Sequence, residues 1–91
     1  MTSAHRSRKT IAVTETGKGK LRKAQNRNGG KRITYEDIEE TLNCRVSRST
    51  IERFFRGKAV DIDNAISIVE VLGLDLEEVV DVAIYENMRL R

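Results

Sequence analysis

Between Ser47 and Gly57 the chain reads SRSTIERFFRG, and at helical spacing this stretch divides into two faces. Ile51, Phe54 and Phe55 make an apolar face, while Arg48, Ser49, Thr50, Glu52, Arg53 and Arg56 point outward. An outer face of this kind suits a polyanion. Arginine pairs bidentately with guanine O6 and N7, which makes Arg48 and Arg53 candidate base readers. The hydroxyls of Ser47, Ser49 and Thr50 can donate to phosphates beside a helix N-terminus. The plainer alternative is a solvated surface, with the arginines paired to Glu52 or to acids on the preceding helix. Phe54 and Phe55 are adjacent, so they cannot point equally inward, and at least one is expected in the core.

Other chemistry is poorly provided for. The chain has one His (His5) and one Cys (Cys44), which excludes a disulfide framework and any Cys/His zinc site built from one copy. Cys44 reads as a small apolar residue in a link. No glycine-rich phosphate cradle follows a strand, and no nucleophile–base pair is evident, so no catalytic residue, metal or cofactor is expected. The four aromatics, Tyr35, Phe54, Phe55 and Tyr85, leave little surface for stacking single-stranded bases, which disfavours RNA.

The elements that must position these residues are short helices. Ninety-one residues suffice for one domain with tails. A first helix is expected over Lys20 to Asn28, entered through Gly17 and Gly19 and stopped by Gly29-Gly30. Thr34 caps a second, with Asp37 completing a capping box and Tyr35, Ile38 and Leu42 on one face. Asn43 can end it in a left-handed conformation. Ser47 caps the third, Arg48 to Arg56, closed by Gly57. Asp61 or Asp63 caps a fourth that ends near Leu72 and Gly73, with Ile62, Ala65, Ile66, Val69 and Leu72 inward. Asp75 caps a fifth, with Leu76, Val79, Val80, Ala83 and Ile84 inward. The fold class is therefore all-α, with five helices. Residues 1–16 form a flexible basic arm, 17–81 the domain, and 82–91 a C-terminal extension.

Charge is unevenly spread. Residues 1–32 carry ten Lys/Arg against the single acid Glu15, and residues 33–91 carry seven against thirteen acids. A basic end of this strength suggests nucleic acid. Lys20, Arg22, Lys23, Arg27, Lys31 and Arg32 are candidate phosphate contacts, whose contribution should fall with salt. Val82, Tyr85, Met88 and Leu90 exceed what one helix face can bury, which points either to extra core or to a self-association surface. No apolar run is long enough to span a membrane, and the N-terminus is not of signal-peptide type, so a cytoplasmic protein is expected.

Two short helices on a tight link, the second bearing outward cations, describe a helix-turn-helix. SRSTIERFFRG resembles the recognition helix of the lambda-repressor-like (Cro/CI, XRE) helix-turn-helix family. The continuation KAVDIDNAISIVEVLGLDLEEVVD resembles more specifically a cyanobacterial branch often found at the front of NACHT or NB-ARC ATPases. The resemblance spans about residues 18–81. It implies base contacts by Arg48, Ser49 and Arg53, and phosphate contacts by Tyr35, Arg56 and Lys58. Two departures stand out. Glu39 occupies a position where the family usually has a small residue, and Leu42-Asn43-Cys44-Arg45-Val46 is about two residues longer than the usual link.

Together these features lead to an expected bacterial transcriptional regulator that binds double-stranded DNA in a sequence-specific manner as a homodimer. The competing expectation is a protein-interaction module that kept the fold without DNA binding, which the acidic second half favours.

Overall fold

The computed structural model describes residues 9–26 and 31–89, and its elements run β1 (Thr10–Ile11), α1 (Glu15–Gln25), α2 (Tyr35–Thr41), α3 (Arg48–Phe55), β2 (Val60–Asp61), α4 (Ile62–Val71), α5 (Leu76–Val79) and α6 (Val82–Arg89). The domain is mostly helical. Its helices pack around a core in which Leu21, Ile38, Ile51, Phe54, Phe55, Ile68, Val69 and Val79 are essentially closed to solvent. No helix among the described residues is long and apolar enough to cross a membrane.

Local signals set the helix ends. Thr34 Oγ1 accepts from the Asp37 amide (3.0 Å) while the Asp37 carboxylate accepts from the Thr34 amide (2.9 Å), so two amides that a helix start leaves unpaired are satisfied reciprocally. These contacts hold the Asp37 carboxyl below its ordinary value, the Thr34 backbone amide contributing most. Ser47 caps α3 and Asp61 caps α4. Gly57 closes α3 at φ 89°, its amide donating to Phe54 O and that of Lys58 to Arg53 O. This double closure needs a left-handed residue, which glycine adopts without a Cβ penalty.

Three segments differ from the expectations, each through a tertiary contact. First, α1 begins at Glu15 rather than Lys20, with Thr14 as its cap, so Gly17 and Gly19 lie inside the helix. Gly17 is where α1 crosses α5: a Cβ there would lie 2.7 Å from the Val79 carbonyl carbon and 2.8 Å from its Cα. Second, residues 9–16 are built into the domain rather than forming an arm. β1 pairs antiparallel with β2, Val13 bridges Val80, and Ile11 and Val13 are buried. Residues 1–8, including His5, lie outside the described residues, as do Arg27 and Gly29-Gly30. Third, the expected fifth helix is broken in two. Val80 is extended (φ −120°, ψ 172°) because it pairs with Val13, and the Asp81 carboxylate restarts the helix by accepting from the Ala83 amide (2.9 Å).

The core also differs in detail. Phe54 and Phe55 are both buried, at 0% and 1% exposure, because α3 is packed from two sides. Tyr35 of α2 lies against Phe55, ring centroids 5.1 Å apart and tilted by 58°. Ala83 and Ile84 are exposed rather than inward, and α4 buries Ile68 in place of Ile62 and Ile66, which are half-buried.

Candidate nucleic-acid interface

The helix most apt for recognition, α3, keeps its polar side clear of the core. Arg48, Ser49, Arg53 and Arg56 are exposed and Thr50 is half-buried. The three apolar residues of the helix face inward and fix which side is presented outward. Arg53 has no ion-pair partner among the described residues. Arg56 pairs with Glu52 at 3.0 Å, one turn apart on an exposed face, an interaction worth little on its own.

The N-terminus of α3 is already furnished. Ser47 Oγ accepts from the Thr50 amide at 3.3 Å and lies 3.0 Å from the Thr50 hydroxyl and 3.3 Å from that of Ser49. From α2, Glu39 Oε2 accepts from the Arg48 amide at 3.1 Å, and Glu39 Oε1 lies 3.5 Å from Arg48 Nε. The Glu39 side chain is 20% exposed, against 57% for that of Arg48, so the pair runs from the helix junction out to the surface.

The link between α2 and α3 makes room for this contact. Asn43 and Cys44 are both left-handed, at φ 54° and 62°. Two consecutive non-glycine residues in that region are uncommon, Asn being the better suited. Cys44 lies in the link, as expected of a small residue there, and is exposed; its left-handed conformation helps turn the chain. The longer link and the carboxylate in place of a small side chain therefore occur as one local solution.

The remaining cations divide by position. Gly17, Leu21, Ala24 and Gln25 face inward from α1. Lys18 and Arg22 flank this stripe on the Gln25 side, and Lys18 runs over Gly57 at the end of α3, where an added Cβ would meet its Cε at 2.7 Å. Lys20 lies about 160° around the helix from Arg22 and Lys23 about 100°, so neither shares the Lys18–Arg22 flank. Lys31 and Arg32 are exposed in the segment leading into α2. Arg32 shares a surface cavity with Gln25, Thr34 and Tyr35. Gln25 Nε2 donates to Ile33 O at 2.8 Å, which ties that segment to α1. Lys58 is exposed just beyond Gly57.

Thus Lys18 borders the end of α3 through Gly57, with Lys58 next to it, and Tyr35 borders α3 through Phe55, with Arg32 beside it; Arg22 follows Lys18 on the same flank of α1, and Lys20 and Lys23 lie off that flank. Sequence reasoning missed Lys18, whose only signal was its helical phase with Arg22, visible once α1 is known to begin at Glu15. It noted Glu39 as a departure and raised pairing of the arginines with Glu52 or with acids of the preceding helix without singling Glu39 out; the structure has both kinds of pair, Arg56 with Glu52 and Arg48 with Glu39.

Of the candidate association residues, Val82 is exposed (49%), as is its neighbour Ile84 (51%). Tyr85 is partly buried and packs against the core. The Met88 side chain and Leu90 lie outside the described residues.

Comparison with curated proteins and with solved structures finds no match. A family model described as helix-turn-helix matches residues 20–79, which takes in α2, the widened link and α3, and the chain belongs to that helix-turn-helix family, of the XRE or lambda-repressor type.

Proposed function

We propose that the protein is a sequence-specific double-stranded DNA-binding protein, a transcriptional regulator that places α3 in the major groove. The family is one of DNA-binding regulatory domains. The observation that carries the reading is the division of α3: Ile51, Phe54 and Phe55 are shut into the core while Arg48, Ser49 and Arg53 are held out on a helix narrow enough for the groove. Arg48 and Arg53 read base edges, with Ser49 beside them. Lys18, Arg22, Arg32, Tyr35, Arg56 and Lys58 contact phosphates along the borders. Lys20, Lys23 and Lys31 add to the general positive field, and Ser47 and Thr50 order the helix start. Val82 and Ile84, about half exposed, support binding as a homodimer through α6.

Binding of the purified protein to mixed duplex DNA at two salt concentrations tests this. Wild-type protein binds with a sequence preference and loses affinity steeply with salt. Arg48→Ala/Arg53→Ala abolishes the preference, since each bidentate pair contributes about 1–3 kcal/mol of discrimination. Arg22→Ala weakens binding to all duplexes alike and lowers the salt slope by about one. Failure to bind duplex at low salt would refute the reading and turn attention to a protein partner. Sedimentation at micromolar concentration, with and without Val82→Lys, tests the dimer.

A further inference from the structure

The Glu39–Arg48 contact has a geometry that goes beyond capping. One carboxylate meets two groups of the same residue: Oε2 takes the backbone amide at 3.1 Å, and Oε1 lies 3.5 Å from Nε of the guanidinium. The first bond ties the backbone of Arg48, at the start of α3, to α2, and the second sets the direction of its side chain. An arginine guanidinium offers five N–H donors in a planar fork. With the Nε side turned to Glu39, the terminal pair of Nη groups remains available, and that pair matches guanine O6 and N7.

The same carboxylate brings a negative charge to the start of α3. Helix N-termini attract phosphate through their unpaired amides and dipole. Here the Arg48 amide is occupied and the local charge opposes phosphate. A DNA strand gains little from this end of the helix unless the fork of Arg48 finds its base.

We propose that Glu39 is a positioning residue for specificity: it holds Arg48 in one orientation for a single guanine and makes the N-terminus of α3 unattractive to phosphates in any other register. This rests on the reading of α3 as a DNA-recognition helix. Glu39 can take this role because it lies on α2 against the first residue of α3, across the link that turns at Asn43 and Cys44.

The test is selection of binding sites from a randomised duplex pool, followed by affinity measurements on the selected site, on its single-base variants and on non-specific duplex. It uses full-length wild type, Arg48→Ala, Glu39→Ala, Glu39→Gln and the double variant Glu39→Ala/Arg48→Ala. In wild type, one base pair of the site loses its preference on Arg48→Ala. Glu39→Ala reduces discrimination at that same base pair by about tenfold, within the range one arginine–guanine pair supplies, and leaves the other positions unchanged. It also binds non-specific duplex a few-fold more tightly, because a carboxylate near the phosphates is gone. Glu39→Gln can keep the amide bond but loses the charge, so it retains part of the discrimination; it also carries the test if Glu39→Ala does not fold. In the Arg48→Ala background, Glu39→Ala changes no base preference. A purely structural role would lower affinity for specific and non-specific DNA together and at all positions, and that result would overturn the proposal. So would intact discrimination in both Glu39 variants, or an Arg48→Ala protein with wild-type preferences. A wild type with no sequence preference would overturn the recognition reading itself.

Discussion

Two glycines in one helix provide a sharp test of the packing that positions the recognition surface. Gly17 and Gly19 both lie in α1, two residues apart. Around Gly19 nothing outside its own helix lies within 4 Å of an added Cβ, whereas at Gly17 the added Cβ would run into the backbone of Val79. The obstacle is main chain and cannot rotate away. Moving it would disturb the Val79 carbonyl, which accepts the Thr14 amide at 2.9 Å. Overpacking of a tight contact costs about 1–3 kcal/mol, and a backbone obstacle belongs at the upper end. Alanine returns up to about 1 kcal/mol of helix propensity, less in the first turn. Gly17→Ala is therefore expected to destabilise by about 2 kcal/mol. Gly19→Ala is expected to stabilise by about 0.5–1 kcal/mol, through propensity alone. In a domain of this size each kcal/mol moves the midpoint by about 4–8 °C. Thermal unfolding should thus show Gly17→Ala lowered by about 8–16 °C and Gly19→Ala raised by a few degrees. A Gly17→Ala protein as stable as wild type, or two variants shifted in the same direction, would refute the α1–α5 contact as described. That contact matters for function because α1 carries Lys18 to Gly57 and Arg22 beside it.

Two further predictions follow from other parts of the fold. Ile11 is buried on a two-residue strand, so Ile11→Ala should destabilise by about 2–5 kcal/mol in urea titration, a loss that an unstructured arm would not show. The Asp37 carboxyl is held below its ordinary value of 3.8, chiefly by the Thr34 backbone amide. The folded state therefore binds its proton less readily than the unfolded chain, and the contribution is present above that value and lost as pH falls below it. Asp37→Asn should lower the urea midpoint near neutral pH and converge with wild type in acid as the carboxylate is protonated; a constant offset down to acid pH would contradict this origin.

Much of this arrangement was legible because helix ends are local. Thr34 with Asp37, Ser47, Asp61, and the glycines 57 and 73 each act within about one turn, and each stands where the residue pattern put it. The recognition-helix face was legible for the same reason, since Ile51, Phe54 and Phe55 share a helical stripe. What escaped the pattern depended on partners far along the chain. Thr10–Ile11 forms a strand only because Val60–Asp61 lies alongside it. Val80 leaves the helix that its periodicity favours because Val13 pairs with it, and Val79 is pinned between Thr14 and Gly17. Both phenylalanines are buried because a second surface, headed by Tyr35, meets Phe55. Glu39 and Lys18 carry no local signal for their contacts: one faces a residue beyond a turn, the other a glycine thirty-nine positions on.

The distribution of charge around α3 has a consequence for how affinity and specificity separate. Arg48 faces Glu39, and Arg56, just past the end of α3, faces Glu52, so much of the positive charge on and beside the helix is locally offset. Under the proposed function, general attraction to phosphate then comes chiefly from α1, the Lys31–Arg32 segment and Lys58. The acids Glu70, Asp75 and Glu77 cluster where α4 meets α5, and α5 packs on α1, α4 and α6 while α3 packs mainly on α2. Under the proposed function, these acids disfavour approach of a polyanion to that end of the domain. On the same reading, substitutions in α1 are expected to change binding to all duplexes and its salt slope, and substitutions at Arg48, Arg53 or Glu39 to change the choice among duplexes. For Arg48 the separation rests on its pairing through Nε, which leaves the terminal fork for guanine, whereas Arg56 meets Glu52 through its terminal Nη2 and keeps no free fork.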